Sequence, residues 1–218
     1  IKENNYFLIK TNNKIFKGDK VILSTGSKAC PKTGSDGIGY ELAKSFGHSI
    51  IEPLPALVQL KSNEKFLKEW HGIRSDVKIT LLENNKYMGS EVGEIQLTDY
   101  GISGICIFNL SNLVARGLDK NKKEDIYINF LPFIEINFRG WFINQTNITN
   151  KKIRELLLSI LNEKIVEVLF GLTNISNKLF TDLTDIEQNK IIELCTNFKI
   201  TITGTNTFNE AQVCSGGV

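Results

Sequence analysis

The apolar residues of this chain change their spacing three times, and the order of those changes restricts the fold more than any other feature. The first stretch alternates in the manner of strands. Tyr6-Phe7-Leu8-Ile9 and Lys14-Ile15-Phe16 flank Asn12-Asn13, which predicts a hairpin. Lys20-Val21-Ile22-Leu23-Ser24 is a short apolar run suited to a strand buried on both faces, and it ends at Thr25-Gly26-Ser27. Between Gly37 and Phe46 the spacing becomes helical, through Ile38, Leu42, Ala43 and Phe46, with Gly47 as a stop. Pro53 and Pro55 are expected to break any regular element.

From Val58 to Phe142 the period returns to two. Val77–Leu82, the turn Asn84-Asn85, Lys86–Met88, Glu94–Thr98 and Ile126–Phe130 read as closely spaced short strands, and so as a small barrel or sandwich. One helix is expected inside this stretch, from Gly104 to Ala115. From Thr149 to Phe198 the spacing is helical again. Its stripes are Ile153, Leu156, Leu157, Ile160 and Leu161; then Ile165, Val168 and Leu169; then Ile186, Ile191, Ile192, Leu194 and Cys195, with Thr184 or Asp185 as cap. Lys199–Thr203 returns to strand. The fold class is therefore α+β in several parts. A domain interrupted by an insertion gives this order, and so do three successive small domains.

Composition narrows the function classes. The chain has 218 residues, 41% hydrophobic and 23% charged, which is ordinary for a globular protein with a real core. A formal charge of +2 leaves no electrostatic footprint for nucleic acid or an anionic membrane. The Lys120–Asp125 run reads as a solvated loop. No apolar run has the length of a spanning helix and no signal segment is visible, so neither a nucleic-acid nor a membrane partner is expected. Cys30, Cys106, Cys195 and Cys214 are scattered without ligand spacing, which argues against zinc and fits a reducing, cytoplasmic setting. His48 and His71 are isolated. Beginning at Ile1 and ending after Ser-Gly-Gly, both ends read as cuts through structure.

Four short motifs could carry chemistry. Thr25-Gly26-Ser27 closes the apolar run, at the carboxyl end where α/β sheets bind ligands. Gly34-Ser35-Asp36-Gly37-Ile38-Gly39-Tyr40 is a glycine-rich loop leading into a helix, suited either to polar oxygen atoms or to a flexible connection capped by Asp36. Gly93–Gly104 contains Gly101, Ser103 and Gly104 at an expected helix start, with Ser103 read as its N-cap. Ala211–Val218 places Gly216-Gly217 after a short apolar run.

In this order the four motifs resemble the NAD(FAD)-utilizing dehydrogenases, the flavoprotein group that includes aminoacetone oxidase and the bile-acid reductase of gut bacteria. The resemblance spans residues 21–218, and Gly93–Gly104 is its most specific part. It implies an FAD-binding α/β domain interrupted by a β-barrel module and a helical module. The boundaries would be 1–57 for the first part of the FAD domain, 58–145 for the barrel, 146–198 for the helices, and 199–218 for the return strand and second part of the FAD domain. Thr25, Gly26, Ser27, Gly34, Ser35, Asp36, Gly37 and Gly39 would lie along FAD, with Gly216 and Gly217 close to the isoalloxazine ring. Gly101, Ser103 and Gly104 would face the substrate side.

Departures from the family pattern are Ser27 for glycine, Asp36 for threonine, Ile38 for aspartate and Leu97 for phenylalanine. The loss at Ile38 removes a carboxylate contact that Asp36 would have to replace. The strand–Gly-x-Gly-x-x-Gly–helix and the closing Gly-Glu segment of the group are absent from these residues. The resemblance thus implies an oxidoreductase moving a hydride or electrons between FAD and a small organic substrate, with NAD(P)H a candidate donor. Its partners would be that substrate and the remaining segments of its own flavin domain. The chain alone is expected to hold FAD weakly or not at all, and no side chain stands out as acid, base or nucleophile. The competing class is a non-catalytic lid or partner-binding module without flavin.

Overall fold

A seven-stranded antiparallel sheet dominates the computed structural model, which describes residues 1–3, 5–134, 138–145, 150–173, 175 and 178–218. Its spine is a long hairpin of β6 (Arg74–Glu83) and β7 (Lys86–Leu97). The hairpin turns at Asn84 and Asn85, both in the left-handed region (φ 47° and 67°). Asparagine tolerates that region, and two such residues in succession give the turn whose twist matches the strands. Strand β8 (Gly101–Ser103) continues from β7, and β5 (Leu60–Lys61) pairs with β8. On the other side, β9 (Glu124–Asn129) pairs with β6, and β10 (Phe198–Ile202) with β9. The last member, β11 (Gly204–Thr205), pairs with β5. The two outermost strands, β10 and β11, are thus successive segments of one stretch of chain, so the sheet curls until its edges are joined through Thr203.

This pairing corrects the expectation for Lys199–Thr203. The strand was expected to rejoin the first part of the chain, but it completes the curled sheet instead. Strand propensity identifies an element and carries no information about its partner.

Helix α2 (Ile105–Asp119) lies on the sheet and buries Cys106, Ile107, Leu110 and Val114. The helices α3 (Phe138–Gln145), α4 (Ile153–Leu158), α5 (Glu163–Gly171) and α6 (Asp185–Thr196) share one continuous core with the sheet. Its aromatic centre joins Phe66, Trp70, Phe130 and Phe198, with Phe66 and Trp70 ring centroids 4.8 Å apart. Helix α6 begins in the expected way: Thr184 Oγ1 accepts from Glu187 N, while the Glu187 carboxylate accepts from Thr184 N. Ile186, expected in its stripe, is exposed.

The remaining residues are less enclosed. β1 (Lys2–Glu3), β2 (Tyr6–Lys10) and β3 (Ile15–Gly18) form a small antiparallel sheet that contains the expected hairpin. Helix α1 (Ile38–Ser45) follows the glycine-rich loop. Val21–Ser24 forms no strand, and Ile22 is 89% exposed, contrary to the expectation of burial on both faces. A strand of that type needs a sheet neighbour and two covering layers, and none of the described residues supplies them.

Pro53 and Pro55 do not break the chain. They lie within β4 (Ile51–Ala56), which among the described residues pairs only with β12 (Val213–Gly217). Two residues apart, their nitrogens fall on one side of the strand, and a two-stranded ribbon leaves such a side unpaired. Glu124 and Asp125, read as part of a solvated loop, are buried at the start of β9.

Candidate functional site

The β4–β12 ribbon brings the first fifty residues and the last six to the end of α2, and three of the four sequence motifs meet there. The Thr25–Ser27 turn and the Gly34–Gly39 loop are knit together. Ser35 Oγ donates to Ser27 O at 2.6 Å, and a Cβ on Gly26 would collide with the Ser35 side chain. Thr25 Oγ1 packs so closely on Gly39 that no side chain fits there. Asp36 Oδ1 accepts from Ile38 N at 3.0 Å, so this carboxylate is engaged at the entry to α1. Gly34, with φ 104°, has open space around its missing Cβ.

Tyr40 connects this pair of loops to the glycine strand. Its ring lies 3.3 Å from where a Cβ on Gly37 would be and 3.4 Å from one on Gly217. Its hydroxyl interacts with Cys214 and Ser27, and burial, then Cys214, raise its pKa above the usual phenol value. Ser27, Gly37, Cys214 and Gly217 therefore meet at one side chain, and Thr25, Gly26, Ser35, Asp36, Gly39 and Gly216 belong to the loops and the strand that it joins.

Arg116, near the end of α2, holds the ribbon from the other side. Its guanidinium donates to Glu52 O at 2.8 Å, to Ser215 O at 2.5 Å and to Ser215 Oγ at 3.3 Å. A Cβ on Gly216 would fall 2.8 Å from both the Ile51 and Glu52 carbonyl oxygens, so only glycine lets these chains approach. Nearby, Leu57 is held at φ 49°, which costs a non-glycine residue roughly 1–2 kcal/mol.

Gly101, Ser103 and Gly104 are not part of this assembly. They begin α2 on the sheet, about 18 Å along the helix axis from Arg116 at 1.5 Å per residue. Gly101 packs on the Leu60 carbonyl and Gly104 on the Glu94 carbonyl, which explains both glycines by backbone packing. The N-cap of α2 is Gly104, while Ser103 is the buried last residue of β8.

Sequence reasoning missed Tyr40, Arg116 and Cys214 as site residues. Tyr40 directly follows Gly39, a detectable sign, but nothing in the spacing ties Arg116 to Ser215. Burial pushes the Cys106 thiol up to about 11 and Cys195 to about 12, so neither is a ready nucleophile. His71 lies 3.8 Å from Asp99 in an exposed pair. No group of three or more metal-ligating side chains occurs among the described residues. Nor is any helix among them long and apolar enough to cross a membrane.

The glycine backbone and small side chains meeting at Tyr40 have the composition of a surface that a planar, polar-edged cofactor such as a flavin could lie along, and Gly34 leaves room for close approach. Among known proteins, the chain is 35% identical over 97% of its length to a 3-dehydro-bile acid delta(4,6)-reductase of Clostridium scindens, covering 53% of that protein. It is 24% identical over 97% of its length to a ribosomal RNA dihydrouridine synthase of Haemophilus influenzae, covering 51% of it. The Escherichia coli protein of the same name is 24% identical over 100% of this chain, which covers 52% of it. The chain thus spans about half the length of these curated relatives, one of which, the bile acid enzyme, is by name an oxidoreductase. The profile described as HI0933-like protein barrel and H2TH domain matches residues 54–213, which contain the curled sheet and the helices, and the chain belongs to that HI0933-like family.

Proposed function

We propose that this chain is part of an FAD-dependent oxidoreductase that reduces a small organic substrate, of the NAD(FAD)-utilizing dehydrogenase type. One observation carries the reading: the Thr25–Ser27 turn, the Gly34–Gly39 loop and the Gly216-Gly217 strand, far apart in sequence, converge on Tyr40. In this reading Thr25, Gly26, Ser27, Gly34, Ser35, Asp36, Gly37 and Gly39 line the cofactor, and Gly216 and Gly217 border its ring. A bound flavin would supply the redox chemistry. The chain's own residues position it: Arg116 fixes the glycine strand, and Tyr40 fixes the loops against that strand.

A second observation concerns completeness. Val21, Ile22, Leu23, Leu42 and Phe46 line an apolar hollow of about 450 Å³ with Ile1, Phe7 and Ile9. In this reading further segments of the flavin domain cover it, in keeping with relatives about twice as long. The test is an FAD titration of this 218-residue chain and of the polypeptide extended at both ends to the length of those relatives. Retention of FAD by the extended form alone is expected. Retention by neither would overturn the flavin reading and favour a non-catalytic module. A yellow 218-residue chain with one flavin per molecule would overturn the need for the added segments.

An RNA substrate is the competing reading, raised by the names of the two relatives at 24% identity. The helical part offers weak support for it. Arg154 is engaged by Glu163 and Glu167, Lys178 by Glu187, and Lys190 by Glu193, so these cations face carboxylates of their own chain. The higher identity to a bile acid reductase favours the small-molecule reading.

A further inference from the structure

We infer that the groove between α2 and the β4–β12 ribbon is a substrate site for a small, neutral organic carbonyl compound with both apolar and polar faces; this rests on the flavin reading above. The groove is open to solvent along its length and offers about 430 Å³, within the range of small-molecule sites. Leu57, Phe108 and Val213 form its apolar walls, and Asn109, Asn112 and Ser215 bring polar atoms to it. Among the described residues no charged side chain lines it, so the part of a ligand seated there is neutral. Asn109 Nδ2 is committed to Glu91 Oε2 at 3.0 Å, which leaves Asn112 as the amide placed to donate to a ligand oxygen.

Two features single out this groove. The first is strain: Leu57 holds a left-handed conformation at the groove wall, where its carbonyl accepts from Gln212 N at 3.4 Å. Bulky residues in such conformations persist where the surroundings over-determine them, often at ligand sites. The second is position. The groove is bounded by Cys214 and Ser215, and the next residues of that strand are Gly216 and Gly217, which border the flavin ring in the reading above. One side of the groove comes from α2 of the curled-sheet unit and the other from the ribbon. A ligand there is therefore gripped by both parts of the molecule.

The experiment uses the extended, FAD-loaded protein, with a 3-dehydro bile acid and cyclohex-2-enone as probes, read by calorimetric titration. Variants are Asn112→Leu and Phe108→Ala, both at partly or fully exposed positions where folding is expected to survive. FAD content and thermal midpoint are measured alongside. The expected result is probe binding by the parent, weakened about tenfold in each variant, the equivalent of about 1.4 kcal/mol, at unchanged FAD content. Equal probe affinity in parent and variants overturns the groove assignment and leaves the flavin reading standing. Absence of probe binding by the FAD-loaded parent overturns the substrate class. A parent that holds no FAD fails the flavin reading first, and the inference falls with it.

Discussion

The curled sheet with its helices and the first fifty residues of the chain use their apolar side chains in opposite ways. In the first unit Trp70, Ile79, Ile95, Phe142, Phe180 and Phe198 are all removed from solvent within one core. In the second, Ile9, Ile15, Phe16, Ile22 and Leu23 remain exposed, and the small core near it is formed, among the described residues, by Ala29, Val58 and Ala211 with Cys214 against them. The difference teaches where stability resides. The unit matched by the family profile buries its apolar residues in its own core, while the first fifty residues leave apolar surface that another surface could cover.

The sharpest way to break this comparison is to remove large side chains from each unit. Trp70→Ala deletes the centre of the aromatic cluster and is expected to cost about 3–5 kcal/mol in denaturant unfolding. Ile22→Ser, at an 89% exposed position, is expected to change stability by less than about 0.5 kcal/mol in the same chain. Equal losses would show that the first fifty residues pack as tightly as the sheet. In the extended protein Ile22→Ser should become costly, because the covering segments would bury it.

A polar defect inside the closed unit gives the next effect. Glu124 and Asp125 are adjacent and both buried. Burial pushes the Asp125 carboxyl up, but Thr201, Lys199 and Lys123 more than offset it and hold it below the usual range. Among the described residues neither Glu124 oxygen has a hydrogen-bond partner, and the side chain faces Glu83 across the strand pair. Burial, then repulsion from Glu83 and Asp125, push it up to about 7. Between pH 4.5 and 7 the folded chain keeps a proton that the unfolded chain releases, so this group makes stability fall as pH rises through that window. Glu124→Gln removes that slope. It is expected to exceed the parent by about 2–3 kcal/mol at pH 8 and to match it near pH 4, by denaturant unfolding at both values. A constant difference at both pH values would rule out the ionisation argument.

Legibility in the sequence follows the range of the interactions involved. The β6–β7 hairpin, α1, α2 and a cap at Thr184 were visible because alternation, helical stripes, Asn-Asn and a capping hydroxyl act over a few residues, while the answering Glu187 was not foreseen. Partners were not visible. Lys199–Thr203 read correctly as a strand and was assigned to the wrong sheet, and Val21–Leu23 read as a buried strand although no described strand pairs with it. The motifs marked the two loops and the glycine strand, yet the side chains that join them, Tyr40 and Arg116, act across most of the chain. Gly101 and Gly104 mark a close backbone crossing on the sheet, the same local signature that a ligand-facing glycine leaves.

The smallest effect compares how a helix starts in each unit. α6 is held by a reciprocal box between Thr184 and Glu187, whereas α1 starts at Gly37, which has no side chain to offer, and receives one bond from Asp36. Thr184→Ala leaves the Glu187 amide without its acceptor and is expected to cost about 1 kcal/mol of global stability. Asp36→Ala removes a comparable bond from a helix whose Leu42 and Phe46 are exposed, so its loss should appear as faster local amide exchange in α1 with the global unfolding midpoint unchanged. Hydrogen exchange on the two variants separates these outcomes residue by residue. If Asp36→Ala also lowers the global midpoint by as much as Thr184→Ala, α1 unfolds together with the curled sheet, and the contrast between a closed and an open unit fails.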